Sequence, residues 1–297
     1  MISTITGMLQ PQAPFDFECS LTFLGMFPPM HGEQQLADRS LTKAVSIDGQ
    51  PLVFSVRPTG TVEAPQMVYT LYSAQPITDR LDRIAADRIA FFLSLDDDLR
   101  PFYAIGEQDA AFAPLMKRNY GYHQVKFLTP FEHTCWAILG QRIPMAVAQS
   151  IKQRIAEQFG SALEVEGVTY HAFPEPARLI EAADTLESVV KNGRKAEYLL
   201  AAARAFAEVD EQWLRHAPSD EVEAWLLKIK GIGEWSARFV MIRGLGRMDR
   251  MSIGEKRFVE AARERYGHDL SEDQIRAIGA GYGEYQGYWA YYLRSAV

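Results

Sequence analysis

Leu226-Leu227-Lys228-Ile229-Lys230-Gly231-Ile232-Gly233-Glu234-Trp235-Ser236-Ala237 reads as the end of one helix, a tight hairpin, and a second helix that opens on two glycines. Leu226 and Ile229 lie three apart before the turn, Trp235 and Ala237 come after it, and Phe239 to Ile242 continue an apolar helix toward Gly244. Glycine permits the turn and bares backbone N–H groups at the start of the second helix, where unpaired donors and the positive dipole end favour an anion. Such an element, centred on Gly231, Ile232 and Gly233, can grip a phosphate backbone with no Lys or Arg of its own. A Gly-x-Gly between two helices is nonetheless common, so the rest of the chain decides whether it marks a site.

The chain has 297 residues, 47% hydrophobic and 23% charged, which suits two domains with cores of their own and argues against disorder. No apolar run approaches the roughly 20 residues that span a bilayer. Met1-Ile2-Ser3-Thr4-Ile5-Thr6 has neither the basic start nor the apolar stretch of a secretion signal. The expected location is cytoplasmic, at the nucleoid when DNA is bound, with no membrane partner. Cys19 and Cys135 are too few for a disulfide framework and lack the neighbours of a zinc site, and the histidines form no ligand cluster, so no metal is assigned. The formal net charge of −7 opposes an extended electrostatic DNA binder. Read locally, Arg238, Arg243, Arg247, Arg250, Lys256 and Arg257 predict a basic lip after the hairpin.

Short β-type runs recur between turns at Cys19 to Phe23, Thr42 to Ile47, Leu52 to Val56 and Met67 to Leu71, with Asp48-Gly49 as a hairpin signal. Asp79 to Phe92 reads as a helix. Thr129-Pro130-Phe131-Glu132 is a helix start in which Thr caps, Pro suits the first turn, and Glu reaches back to the cap. Helices are then predicted over about 130–140, 144–159, 175–183, 194–208, 221–229, 234–243, 255–266, 272–280 and 284–295. The expected architecture is an α+β N-terminal domain, residues 1–124, an antiparallel sheet with helices, followed by an all-α domain, residues 125–297.

Further segments agree with the hairpin. Pro130 to Gln141, Ala172-Phe173-Pro174-Glu175-Pro176, Gly193-Arg194-Lys195-Ala196-Glu197-Tyr198, Arg243-Gly244-Leu245-Gly246-Arg247-Met248-Asp249, and Ala13 to Phe17 with Phe23-Leu24 each match, in order, a segment of one family. The chain resembles the helix–hairpin–helix DNA glycosylase superfamily, and within it the AlkA-type DNA-3-methyladenine glycosylases. The resemblance implies a helical glycosylase domain, double-stranded DNA carrying a damaged base as partner, a monomer, and no redox or organic cofactor. It allows a monovalent cation on hairpin carbonyls. The iron–sulfur cluster of some relatives is excluded, because no Cys follows Cys135.

An enzyme acting on a base takes it out of the stack, which needs a pocket, a wedge, a backbone grip and a group that helps the bond break. Breaking an N-glycosidic bond builds positive charge on the sugar, which a carboxylate stabilises. Aligned without gaps, the family's catalytic Asp falls on Glu255, and the loop proline is missing. The acid is one methylene longer, and a displacement of about 1 Å at a reacting centre can cost on the order of a hundredfold. Asp249 is the rival acid, and a chain that does not catalyse is the third reading. Trp235 stands where bifunctional relatives have a nucleophilic lysine, which implies a monofunctional enzyme. Lys256 as a Schiff-base nucleophile stands beside the commoner surface lysine.

By the same resemblance Phe23, Trp235 and Phe239 are aromatic pocket residues able to stack on a cationic base, although each can equally be core. Lys256 and Arg294 stand where the family has further aromatics, and Tyr285, Tyr288, Trp289, Tyr291 and Tyr292 are candidates to restore stacking surface. Arg142 falls at the wedge position, with a solvated helix-end arginine as the alternative. The implied function is a monofunctional base-excision glycosylase for an alkylated base. A binding protein that recognises damage without cleaving, and a glycosylase for a neutral or deaminated base, are the alternatives.

Overall fold

The computed structural model describes residues 2–30, 32–251 and 256–295. Strands β1 (Ser3–Leu9), β2 (Gln34–Ala37), β3 (Ser40–Ile47), β4 (Gln50–Pro58) and β5 (Met67–Ser73) form one antiparallel sheet in the order β1-β5-β4-β3-β2. The Asp48-Gly49 turn joins β3 to β4, with both residues at positive φ. Its tip is held from the other half of the chain, for the Glu175 carboxylate accepts from Asp48 N (3.1 Å), Gly49 N (2.6 Å) and Ser46 Oγ (2.8 Å).

Helix α1 (Phe17–Met26) replaces the strand expected over Cys19 to Phe23. Asp16 caps it by accepting from Glu18 N, and Phe17, Ser20 and Leu24 recur on one buried face, a helical spacing that a five-residue β-type run conceals. The sheet packs on α2 (Asp79–Leu93), and α3 (Arg100–Gly106) and α4 (Ala113–Arg118) complete the N-terminal part. The sheet with its helices is the expected α+β unit.

The C-terminal part is helical apart from a small hairpin, β6 (Ala162–Val165) and β7 (Val168–His171). Helices α5 (Pro130–Leu139), α6 (Met145–Phe159), α7 (Pro176–Glu181), α8 (Ala183–Val190), α9 (Gly193–Glu208), α10 (Glu211–His216) and α11 (Ser219–Leu226) precede the turn. After it come α12 (Glu234–Phe239), a π-helical turn Val240–Gly244, α13 (Lys256–Tyr266), α14 (Glu272–Ala280) and α15 (Gln286–Arg294). At the start of α5 Thr129 Oγ1 accepts from Glu132 N at 3.0 Å as expected. Glu132 does not reach back to the cap; its carboxylate lies 2.7 Å from the buried Lys152 ammonium instead.

Two large hydrophobic cores, with a small third one between the sheet and the β6–β7 hairpin, tie the halves together. The larger joins the sheet (Phe54, Leu71) and α2 (Phe92) to Phe131, Ile155, Leu199 and Val240. The other joins α3 and α4 (Phe102, Phe112) to Phe258, Trp289 and Tyr292. Tyr288, Trp289, Tyr291 and Tyr292 are buried in this core, and Tyr285 is half-buried against them. No helix among the described residues is long and apolar enough to cross a membrane.

Candidate functional site

The hairpin between α11 and α12 turns on Gly231, which has φ +93° and packs against Tyr198, so that a Cβ there would lie 2.4 Å from the ring. Gly233 needs no such freedom: its φ is −100° and a Cβ would meet nothing within 4 Å. That openness leaves the start of α12 approachable by another backbone.

Gln141 joins this hairpin to the segment after α5, donating Nε2 to Gly231 O at 2.8 Å. Lys195 of α9 donates Nζ to Leu139 O and to Gln141 O, the latter at 2.9 Å, closing the carbonyl end of α5. Held from both sides, the next residue, Arg142, is exposed with φ +56°, a left-handed conformation uncommon outside glycine. Arg142, Gly231, Gly233 and Trp235 line one groove of about 510 Å³. The candidate wedge and the candidate phosphate grip are therefore neighbours. A monovalent cation at the hairpin would share carbonyls already engaged, since Gly231 O accepts from Gln141 and Ile229 O from Ile232 N.

From the groove a wall of rings runs inward. Trp235 is 53% exposed and lies 5.0 Å from the half-buried Phe239 between centroids; Phe239 lies 4.4 Å from His133, and His133 4.4 Å from Phe127. Phe127 meets Phe27 at 5.9 Å, and Phe27 stacks on Phe23 at 4.7 Å. Phe23, Trp235 and Phe239, far apart in sequence, thus belong to one surface shared by α1, α5 and α12.

One face of that wall already holds a cation. The buried Arg243 guanidinium sits 4.7 Å from the Phe23 ring, 4.9 Å from Phe27 and 5.4 Å from Tyr291. Burial lowers its pKa, Tyr291 opposes this, and the charge of Arg294 lowers it further, so Arg294, half-buried at the end of α15, lies within electrostatic reach of the same cage. The π turn carries Arg243 inward, because its wider register rotates residues 240–244 relative to α12.

The basic lip is only partly there: Arg238, Lys256 and Arg257 are exposed, and the other three arginines are turned inward or paired. Arg243 is internal, Arg247 donates Nη2 to Leu214 O (2.8 Å) and Ala217 O (2.7 Å), Arg238 pairs with Glu223 at 3.3 Å, and Arg250 pairs with Asp220. Helix ends with unpaired carbonyls and nearby carboxylates claim these side chains before any ligand does. Lys256 is exposed in the first turn of α13, 3.6 Å from Glu260. Asp249, the rival acid, lies 3.7 Å from Arg250 Nε, and its carbonyl accepts from Gln286 at 2.7 Å. Glu255 lies outside the described residues.

The sequence assigns no role to Gln141, Lys195 or Tyr198, although all three lie in matched segments, and weighs His133 only as a metal ligand. Their signal is tertiary: each acts by touching an element distant in sequence.

No protein-family model matches the chain. The DNA-3-methyladenine glycosylase of Bacillus subtilis is 27% identical over 265 residues, 87% of this chain and 86% of that protein. DNA-3-methyladenine glycosylase 2 of Escherichia coli is 30% identical over 115 residues, 38% of this chain and 40% of that one. Among solved structures, the 3-methyladenine DNA-glycosylase of Archaeoglobus fulgidus superposes with a TM-score of 0.80 at 20% identity, covering 97% of both chains. The chain is similar in sequence to DNA-3-methyladenine glycosylases and shares the fold of the glycosylases among the solved structures.

Gly233→Pro removes one N–H from the hairpin, at a φ of −100° that must shift by about 35° toward that of proline. A hydrogen bond to a charged group contributes about 1.5–3 kcal/mol, so affinity should fall roughly tenfold to a hundredfold for all duplexes alike. Fluorescence anisotropy on undamaged and lesion-bearing duplexes checks this once circular dichroism shows an intact fold. Unchanged affinity in the folded variant would exclude the grip.

Proposed function

We propose that this chain is a monofunctional DNA glycosylase of base-excision repair, hydrolysing the N-glycosidic bond of a flipped, alkylated base of the 3-methyladenine type. The observation that carries the reading is the single groove shared by Arg142, the Gly231–Gly233 hairpin and Trp235, from which the aromatic wall leads inward. The hairpin holds a phosphate through backbone donors, Arg142 fills the gap left in the stack, and the extruded base enters beside Trp235 and Phe239. Glu255 stabilises the positive charge that grows on the sugar as the bond to the base lengthens, and water completes the displacement. Trp235 offers no nucleophile, so the strand is left uncut.

The B. subtilis relative carries the same named activity across most of both chains. Mass spectrometry of bases released from alkylated and from deaminated duplexes tests the proposal. Released 3-methyladenine or 7-methylguanine is expected. Retained affinity for damaged DNA with no released base would instead identify a recognition protein that does not cleave.

One observation favours a neutral substrate: Arg294 adds its charge beside the caged Arg243. At an effective dielectric near 20, a cation roughly 5 Å from a cationic base costs at most about 3 kcal/mol, less what the contacts of Arg294 screen. Arg294→Trp should therefore raise release of 3-methyladenine relative to hypoxanthine by about tenfold or more. A fixed or falling ratio in a folded variant would remove Arg294 from the pocket.

A further inference from the structure

His133 is fully buried on α5, and neither Nδ1 nor Nε2 has a hydrogen-bond partner among the described residues. The ring is held firmly. Phe127 and Phe239 lie 4.4 Å away on two sides, and Gly244 packs so closely that a Cβ there would sit 2.7 Å from Nδ1. Burial, and then the charges of Arg243 and Lys152, hold the imidazole well below its usual range, which keeps it neutral with one donor and one acceptor. A dry phenylalanine would fill this aromatic slot without leaving two polar atoms unsatisfied.

Exposure falls along the wall from Trp235, which is exposed, through the half-buried Phe239 to His133. A flat ligand that slides past Trp235 and displaces Phe239 slightly meets His133 next. From this ordering we infer that His133 is a specificity-determining residue at the floor of the base pocket, hydrogen-bonding the edge of the flipped base through a ring nitrogen. The inference rests on the base-flipping reading of the groove and names the chemistry that completes it: a nucleobase with an exocyclic amino or oxo group. The imidazole meets an amino donor with its lone pair or an oxo acceptor with its N–H by choice of tautomer, whereas the rings around it supply only stacking.

The test compares wild type, His133→Phe and His133→Gln. The readouts are single-turnover release of 3-methyladenine and hypoxanthine, affinity for hypoxanthine-containing duplex relative to undamaged duplex, and melting temperature. His133→Phe should fold with an equal or higher melting temperature and bind undamaged duplex as wild type does. Its release rate and its preference for the lesion duplex should each fall about tenfold to a hundredfold. His133→Gln, which keeps a donor and an acceptor, should recover most of both. Rates and preference unchanged in His133→Phe would overturn the inference and leave the ring satisfied by a buried water. Absence of release from wild type, with a lesion preference that falls in His133→Phe, would sink the glycosylase reading and spare the role of His133.

Discussion

Glu255→Gln should abolish base release while leaving affinity for undamaged duplex unchanged. The amide keeps the size of the carboxylate but not its charge, and the charge is what opposes the oxocarbenium-like centre on the sugar. Loss of a preorganised electrostatic partner costs about 10²–10³ in rate, so single-turnover release should drop to the edge of detection. Gel-shift affinity serves as the control, because the proposed hairpin grip uses backbone groups some twenty residues earlier. Glu255→Asp probes the length of the acid as well as its charge. If the extra methylene displaces the acid from the geometry its relatives use, shortening it should raise turnover, and a fall would mean that the backbone is already set for Glu. Release unaffected by Glu255→Gln would take this residue out of the mechanism and return the question to Asp249, whose carboxylate lies beside Arg250.

The hairpin was legible because its signal is local: two glycines between apolar helices, of which Gly231 is required by the positive φ of the turn. The helices around it followed from 3.6-residue periodicity and from the Thr129-Pro130 start. Helix α1 was misread because Cys19 to Phe23 holds enough β-type residues to suggest a strand, while its helical face shows only over the longer span from Phe17 to Leu24. The basic lip lost half of its members for another reason. Counting charges along a segment cannot tell an arginine that faces solvent from one that caps a carbonyl end, as Arg247 does, or fills a ring cage, as Arg243 does. The rings of Phe23 and Phe239 were found through family resemblance; their continuity through His133 and Phe127 depends on how α1 and α5 pack, which no local pattern encodes.

That packing is also what a second substitution should break. Lys152→Met should destabilise the protein by about 3–5 kcal/mol, since it strips the shared cation from two carboxylates and leaves them poorly compensated. Lys152 is fully buried on α6, with Glu33 from the N-terminal domain on one side and Glu132 from α5 on the other; Lys43 on β3 meets Glu33 at 2.9 Å. Burial alone would raise the Glu33 carboxyl, but Lys152 and Lys43 outweigh it and hold the group below the usual carboxylate range. A carboxyl lowered in the folded state contributes stability that is complete above its unfolded pKa, near 4.3, and is lost as pH falls through its folded pKa. Lys152→Met removes one of the two cations, so Glu33 should titrate higher and acid unfolding should begin at a higher pH. Urea titration at pH 7 and an acid titration followed by circular dichroism check both parts. Adding Glu132→Leu to Lys152→Met should recover at least half of the loss, because it removes one of the two stranded charges. The consequence reaches the site, for Lys152 also lies 5.6 Å from the Phe127 ring. Phe127 is the point at which the wall from Trp235 and His133 meets Phe27 and Phe23 of the N-terminal domain, so a loosened junction should separate the two halves of the base pocket before the hairpin grip is affected.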